Sequence, residues 1–168
     1  MSMRHAISIL VDNQAGVLSR VVGLFSGRGF NIESLSVAPT LDPTKSKMVI
    51  TTTGNEQVLE QIKKQLNKLI NVIKVVDYMG KDYVEREMIL VKVKAKEQSR
   101  EEVFRISEIF RAKVLDVSPA SFTIALTGDQ DKLKAFIELL GPAGIIDFVR
   151  TGTIVMEREM QSKRRTES

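Results

Sequence analysis

Ala6-Ile7-Ser8-Ile9-Leu10-Val11, then Asp12-Asn13-Gln14-Ala15-Gly16, then Val17-Leu18-Ser19-Arg20-Val21-Val22-Gly23-Leu24-Phe25 is the stretch on which the fold turns. Ile7, Ile9 and Val11 alternate with Ala6, Ser8 and Leu10, the period of a strand with one strongly apolar face. Leu18, Val21, Val22 and Phe25 then recur at the spacing of one helical face. That segment ends at Gly27 and Gly29, where a left-handed cap costs little. A strand running through a polar loop into a helix opens a βα unit.

Outward from there, Asn31 to Pro39 and Lys47 to Thr53 read as two strands rich in Val, Ile, Thr and Ser, joined by the turn Thr40-Leu41-Asp42-Pro43-Thr44. Leu59, Ile62, Leu66 and Leu69 mark a second amphipathic helix, and Val72 to Tyr78 a fourth strand, giving the order βαββαβ. The second half repeats it. Met88 to Ala95 alternates as a strand, and Ser99-Arg100-Glu101-Glu102 reads as a capping box ahead of a helix containing Val103, Ile106 and Phe110. Lys113 to Ser118 and Ser121 to Thr127 form a hairpin around Pro119-Ala120. Leu133, Phe136, Ile137 and Leu140 mark a helix halted at Gly141-Pro142, and Ile145 to Met156 is the last strand, with Thr151-Gly152 as a bulge or turn. The expected fold class is α+β: two ferredoxin-like βαββαβ domains in tandem, each an antiparallel four-stranded sheet with two helices on one face. The boundary is expected near Met79 to Glu85, dividing the chain into residues 1–79 and 80–168, with a charged, disordered tail from about 158.

A sheet covered on one side must have its other face and its edges solvated, paired or covered by another copy. Leu10, Leu35 and Val37 leave the first unit's open face or edge incompletely polar, so oligomerisation is expected.

Composition narrows the chemistry. The chain has 168 residues, too short for a large two-domain enzyme. Its 25 basic and 21 acidic residues give +4, and the excess is spread out: residues 1–80 hold 9 basic against 6 acidic, the rest 16 against 15. Such a mixed surface lacks the cation stripe that a phosphate backbone requires. With no cysteine and one histidine, His5, no thiolate nucleophile, Cys/His zinc site or disulfide framework can be built. The N-terminal stretch has neither the length nor the cleavage site of a signal peptide. The longest charge-free run, Val117 to Gly128, is 12 residues and contains Pro119, too short to span a bilayer. These features predict a soluble, cytoplasmic protein.

The loop Asp12 to Gly16 is the most informative segment for function. Free backbone N–H groups at the following helix start, with the positive end of its dipole, suit a carboxylate. Gly16 removes a side chain that would block close approach, and the Asn13 amide offers donor and acceptor together, which suits a zwitterionic amino acid. The alternative is structural: Asn13 or Asp12 is an N-cap and Gly16 a steric convenience.

The longer string Val11-Asp12-Asn13-Gln14-Ala15-Gly16-Val17-Leu18-Ser19-Arg20-Val21-Val22-Gly23-Leu24-Phe25-Ser26-Gly27-Arg28-Gly29-Phe30-Asn31-Ile32-Glu33-Ser34-Leu35 closely resembles the opening of the small, regulatory subunit of acetohydroxyacid synthase, also called acetolactate synthase. Ser36-Val37-Ala38-Pro39-Thr40, Asp42-Pro43, Leu59-Glu60-Gln61-Ile62, Glu85-Arg86-Glu87, Ile109-Phe110-Arg111 and Asp116-Val117 continue the likeness to about Gly152. Glu157 to Ser168 match no motif. The resemblance implies an N-terminal ACT domain that binds a small effector and dimerises, followed by a ferredoxin-like domain. It implies no active site in this chain. The partner it implies is a large catalytic subunit carrying thiamine diphosphate, magnesium and FAD, which a small subunit of this family activates and makes sensitive to a branched-chain amino acid, valine first, in valine, leucine and isoleucine biosynthesis. By the same resemblance Asn13 and Gly16 hold the effector's polar groups, Asn31 is contributed across a dimer interface, and Val17, Leu18 and Ile32 are candidates for the apolar wall, with core packing the commoner fate of Leu18.

The remaining features have ordinary readings: His5 as a surface or interface residue, Arg20 and Arg28 as solvated helix residues or partner contacts, Glu85-Arg86-Glu87 as a solvated linker, and the methionines as core fillers. An RNA-binding protein with tandem ferredoxin-like domains is the rival class, since such domains share the βαββαβ order. They stack bases on aromatics of the central strands, however, and Ile7-Ser8-Ile9 and Lys47 to Thr53 carry none. A small hydrolase on this fold would need an arginine and an amide on a phosphate-binding loop, and the first loop is acidic through Asp12.

Overall fold

A computed structural model of the chain describes residues 3–159, and the tail expected to be disordered lies, from residue 160 on, outside them. The elements are β1 (Met3–Asp12), α1 (Val17–Ser26), β2 (Asn31–Pro39), β3 (Lys45–Gly54), α2 (Glu56–Leu66), β4 (Val72–Asp77), β5 (Tyr83–Lys94), α3 (Arg100–Ile109), β6 (Lys113–Val117), β7 (Ser121–Gly128), α4 (Gln130–Leu140), β8 (Ile145–Arg150) and β9 (Ile154–Glu157). Residues 3–84 with 155–159 form one compact unit and Glu85–Ile154 the other.

In the first unit the strand order is β2-β3-β1-β4, all antiparallel. Odd residues of β1 face the helices. Ile7, Ile9 and Val11 meet Met48 and Ile50 of β3, then Val17, Val21 and Phe25 of α1 and Leu59, Ile62 and Leu66 of α2. The glycine at Gly54 is required by packing, because the Phe30 ring occupies the space a Cβ would need. On the helix-free face, Ala6, Val49 and Tyr78 form a small apolar cluster with Val155 of β9. The second unit repeats the order as β6-β7-β5-β8, and β9 pairs with β5. Its core joins Ile89, Val91 and Val93 to Phe122, Ile124 and Leu126, under α3 and α4. Two ferredoxin-like sheets with two helices each are therefore present, as the apolar periodicities predict.

Several local readings change. The last strand is two strands, broken at Thr151–Thr153 where Gly152 takes φ 85°. Strand β5 begins at Tyr83 and includes Glu85-Arg86-Glu87, which is not a solvated linker: the Glu87 carboxylate, 12% exposed, faces Arg150 at 3.5 Å and accepts from Thr153 Oγ1 at 3.1 Å. The capping box at Ser99 does not form, because Ser99 itself is helical in backbone (φ −113°, ψ −7°) and its hydroxyl donates to the Lys96 carbonyl. Side-chain caps stand at two other helices. Asn55 Oδ1 accepts from Gln57 N at 2.8 Å, and Asp129 Oδ1 from Lys132 N at 2.9 Å. Of the methionines, Met48 is core while Met88 and Met156 are exposed.

His5 is not a surface residue: it is 1% exposed, and its Nδ1 lies 3.2 Å from Asp77 Oδ2. The same oxygen accepts from Lys63 Nζ at 3.0 Å, and Asp77 Oδ1 accepts from Met79 N at 3.0 Å. Burial raises the Asp77 pKa, but the Met79 N–H, the Lys63 ammonium and His5 together more than reverse this and hold it below the ordinary 3.8. A depressed carboxylate contributes stability that is fully present above the unfolded value near 3.8 and is lost as pH falls from there through the lower value of the folded state. Asp77→Asn is therefore expected to cost about 1 to 3 kcal/mol at pH 7, in line with charged hydrogen bonds, and progressively less below pH 4 in urea titrations. An equal loss at both pH values would show that the carboxylate charge is not what matters.

Candidate functional site

Gly16 is the N-cap residue of α1, in the left-handed region (φ 83°, ψ −10°), and no side chain caps the helix. A Cβ there would meet nothing within 4 Å, so the glycine serves backbone conformation and does not relieve crowding within this chain. The N–H groups of Leu18 and Ser19 have no acceptor among the described residues, and the first turn of α1 has no acidic side chain. An open, uncapped helix start with the positive dipole end is what a carboxylate group can dock on.

Asn13 is not the N-cap. Its Nδ2 donates to the Pro43 carbonyl at 3.0 Å and its backbone N–H to the Thr44 carbonyl at 2.8 Å, tying the loop before α1 to the turn between β2 and β3. The amide oxygen of Asn13 stays available. That turn is itself fixed: Asp42 Oδ1 accepts from Thr44 N and Thr44 Oγ1, bonds that hold its carboxyl below the ordinary carboxylate range, with Lys45 adding to the effect. Asn71, which the sequence reading missed, ties the other side of the loop. Its Nδ2 donates to Gln14 Oε1 at 3.2 Å and lies 3.4 Å from Asp12 Oδ2, while its Oδ1 accepts from Arg20 at 3.0 Å. Arg20 thus braces the loop, and Arg28 bonds Gln61 of α2.

The apolar candidates separate. Val17 is 3% exposed and belongs to the core, whereas Leu18 is 39% exposed, the reverse of the expectation that Leu18 packs inside. The helical phase explains it: Val17, Val21 and Phe25, four apart, make the buried stripe and turn Leu18 outward. Ile32 is half-buried against the same core. Asn31 is exposed at the start of β2, an edge strand; its carbonyl accepts from Thr52 Oγ1 and its side chain has no partner among the described residues.

Register measures the separation of the two asparagines. Asp12 pairs with Lys45 and Asn31 with Thr53, so they flank opposite ends of β3. Eight residues of strand span about 26 Å. One copy cannot bring Asn13 and Asn31 onto one small ligand.

The match to known proteins is extensive. Residues 7–74 fit the family model described as the AHAS small subunit-like ACT domain, and residues 86–159 fit the model described as the small subunit of acetolactate synthase. The chain belongs to the acetolactate synthase small-subunit family. It is 51% identical over 157 residues to the acetolactate synthase small subunit of Haemophilus influenzae, covering 93% of this chain and 96% of that one. It is 49% identical to the isozyme 3 small subunit of Escherichia coli over the same shares. The crystal structure of the small subunit from Thermotoga maritima superposes with a TM-score of 0.85 at 40% identity, covering 94% of this chain and 98% of that one. The family's ACT domain therefore spans β1 to β4, the elements that carry Asn13, Gly16 and Asn31. Among the described residues no cluster of three acidic or histidine side chains could hold a metal, and no helix is long and apolar enough to cross a membrane.

Proposed function

We propose that this chain is the regulatory partner of an acetolactate synthase catalytic subunit, raising its activity and conferring feedback inhibition by a branched-chain amino acid, valine first. It works as a homodimer joined along the β2 edges. The effector sits between the Asn13–Gly16 loop of one copy and Asn31 of the other, with its carboxylate on the α1 start and its branched side chain near Leu18 and Ile32. The observation that carries this reading is the separation of the two asparagines, about 26 Å within one chain. A two-fold pairing of antiparallel β2 edges reverses one sheet against the other, turning one copy's Asn31 toward the loop end of its partner. The unpaired backbone of β2 is the edge such an association would use.

Thiamine diphosphate, magnesium and FAD belong, on this reading, to the catalytic subunit in the cytoplasm. The purified chain supplied with thiamine diphosphate and magnesium is expected to form no acetolactate, to stimulate the catalytic subunit when mixed with it, and to make the mixture valine-sensitive. Turnover by the chain alone, or no stimulation, would overturn the proposal. In ultracentrifugation at micromolar concentration it is expected to sediment as a dimer, and a monomer would remove the shared site.

A further inference from the structure

The helix-free face of the first unit holds a cavity of about 360 Å³ at its β4 side, within the size range of small-molecule sites. It lies on the face of the sheet opposite to α1 and has no lining residue in common with the Asn13–Gly16 loop. Leu10 of β1 is its floor. In register, Leu10 stands between Lys47 of β3 and Lys74 of β4, so the two lysines lie about 10 Å apart at their Cα atoms and both line the cavity. Neither ammonium has a carboxylate or hydrogen-bond partner among the described residues. Lysine on an edge strand is a common guard against pairing, which would account for Lys74 on β4, but Lys47 is on the inner strand β3 and guards no edge.

The deeper polar group also donates. Ser8 and Tyr78 are 3% and 4% exposed, and their hydroxyls lie 3.4 Å apart, each with the other as its side-chain partner. Two hydroxyls bring two protons, and one bond between them consumes one. The other O–H is a buried donor with no protein acceptor among the described residues, and both hydroxyl-bearing residues line the cavity together with the two ammonium groups. Val76 and Met156 supply apolar walls, and the one carboxylate on the rim, Glu157, faces Lys81 at 3.8 Å.

The geometry points to a second ligand site on this face, taking a small carboxylate with a short aliphatic body. Its carboxylate spans Lys47, Lys74 and the Ser8–Tyr78 pair, and its hydrocarbon lies on Leu10 and Val76 beneath Met156. The site is distinct from the effector site proposed above and does not depend on it. Methyl NMR of the full chain, titrated with isobutyrate, isobutylammonium and inorganic phosphate, tests it. Isobutyrate is expected to shift the Leu10, Val76 and Met156 methyls saturably, and isobutylammonium to leave them unmoved. Lys47→Gln and Lys74→Gln, both exposed positions compatible with folding, are expected to weaken isobutyrate binding about threefold to fivefold each, as for solvent-accessible ion pairs. Tyr78→Phe is expected to weaken it further, with unliganded spectra of all variants checking the fold. Asn13→Ala and Asn31→Ala should leave this binding unchanged. Equal response to isobutylammonium, phosphate binding tighter than isobutyrate, or wild-type affinity in both lysine variants would overturn the assignment.

Discussion

Asn31→Ala is expected to weaken effector affinity roughly 10- to 150-fold in the complex reconstituted with the catalytic subunit, while activation of that subunit persists. The side chain would bond a zwitterion whose charged groups are desolvated, and such charge-assisted bonds are worth about 1.5 to 3 kcal/mol, with each 1.4 kcal/mol a factor of ten. Among the described residues the Asn31 side-chain amide has no partner, so thermal stability should not change. Asn13→Ala should lose the effector equally but also cost about 0.5 to 1.5 kcal/mol, because its Nδ2 holds the Pro43 carbonyl. Inhibition fails in this way only if the effector binds the inhibited state more tightly than the active one. The sharper test mixes the two variants. If each site takes Asn13 from one copy and Asn31 from the other, a mixed dimer holds one site with both asparagines lost and one intact. Random mixing should then restore about a quarter of the sites. No recovery on mixing would overturn a site shared between two copies, and wild-type effector sensitivity in both variants would retire the asparagines from the site altogether.

The sheet and helices were legible because apolar periodicity is a direct image of burial. Ile7, Ile9 and Val11 point one way because a strand alternates, and Leu59, Ile62 and Leu66 because a helix returns every 3.6 residues. What failed depended on contacts distant in sequence. Nothing near His5 announces that it meets Asp77 across the sheet, and Glu85-Arg86-Glu87 reads as a linker until Arg150 and Thr153 are seen to meet the Glu87 carboxylate. The helix phase of α1 was ambiguous locally, since Leu18, Val21, Val22 and Phe25 fit a stripe almost as well as Val17, Val21 and Phe25. Packing against Ile9 and Ile50 chose the second. At the candidate site the loop residues were visible, since a polar turn with glycine between a strand and a helix has a chemical meaning. Asn71, Pro43 and Thr44 were not, because their roles are to brace that loop from other parts of the chain. Asn13 itself was half legible: its polarity pointed to a ligand or a cap, whereas its amide in fact holds a neighbouring turn and keeps one acceptor free.

Phe136→Ala is expected to destabilise the second unit by about 3 to 5 kcal/mol, the usual cost of emptying a fully buried aromatic site. Phe136 is 0% exposed, and its ring lies 5.2 Å from that of Phe110 in a tilted pair, so the substitution removes both apolar burial and an aromatic contact. Phe25, also 0% exposed, is its counterpart in the first unit, and Phe25→Ala should cost a similar amount there. The two main cores share no residue. Amide exchange should therefore resolve the two variants by place: Phe136→Ala should accelerate exchange along Ile89, Val91 and Val93, and Phe25→Ala along Ile7, Ile9 and Val11. Faster exchange of equal size in both sheets for either variant would mean that the two units unfold as one cooperative body. Because Phe25 lies on the buried stripe that Val17 begins, its loss should also loosen the start of α1 and weaken effector binding. Phe136→Ala, whose cavity opens in the other core, should leave effector affinity intact under conditions where that unit remains folded. A fall in effector affinity from Phe136→Ala equal to that from Phe25→Ala would show that the site does not belong to the first unit alone.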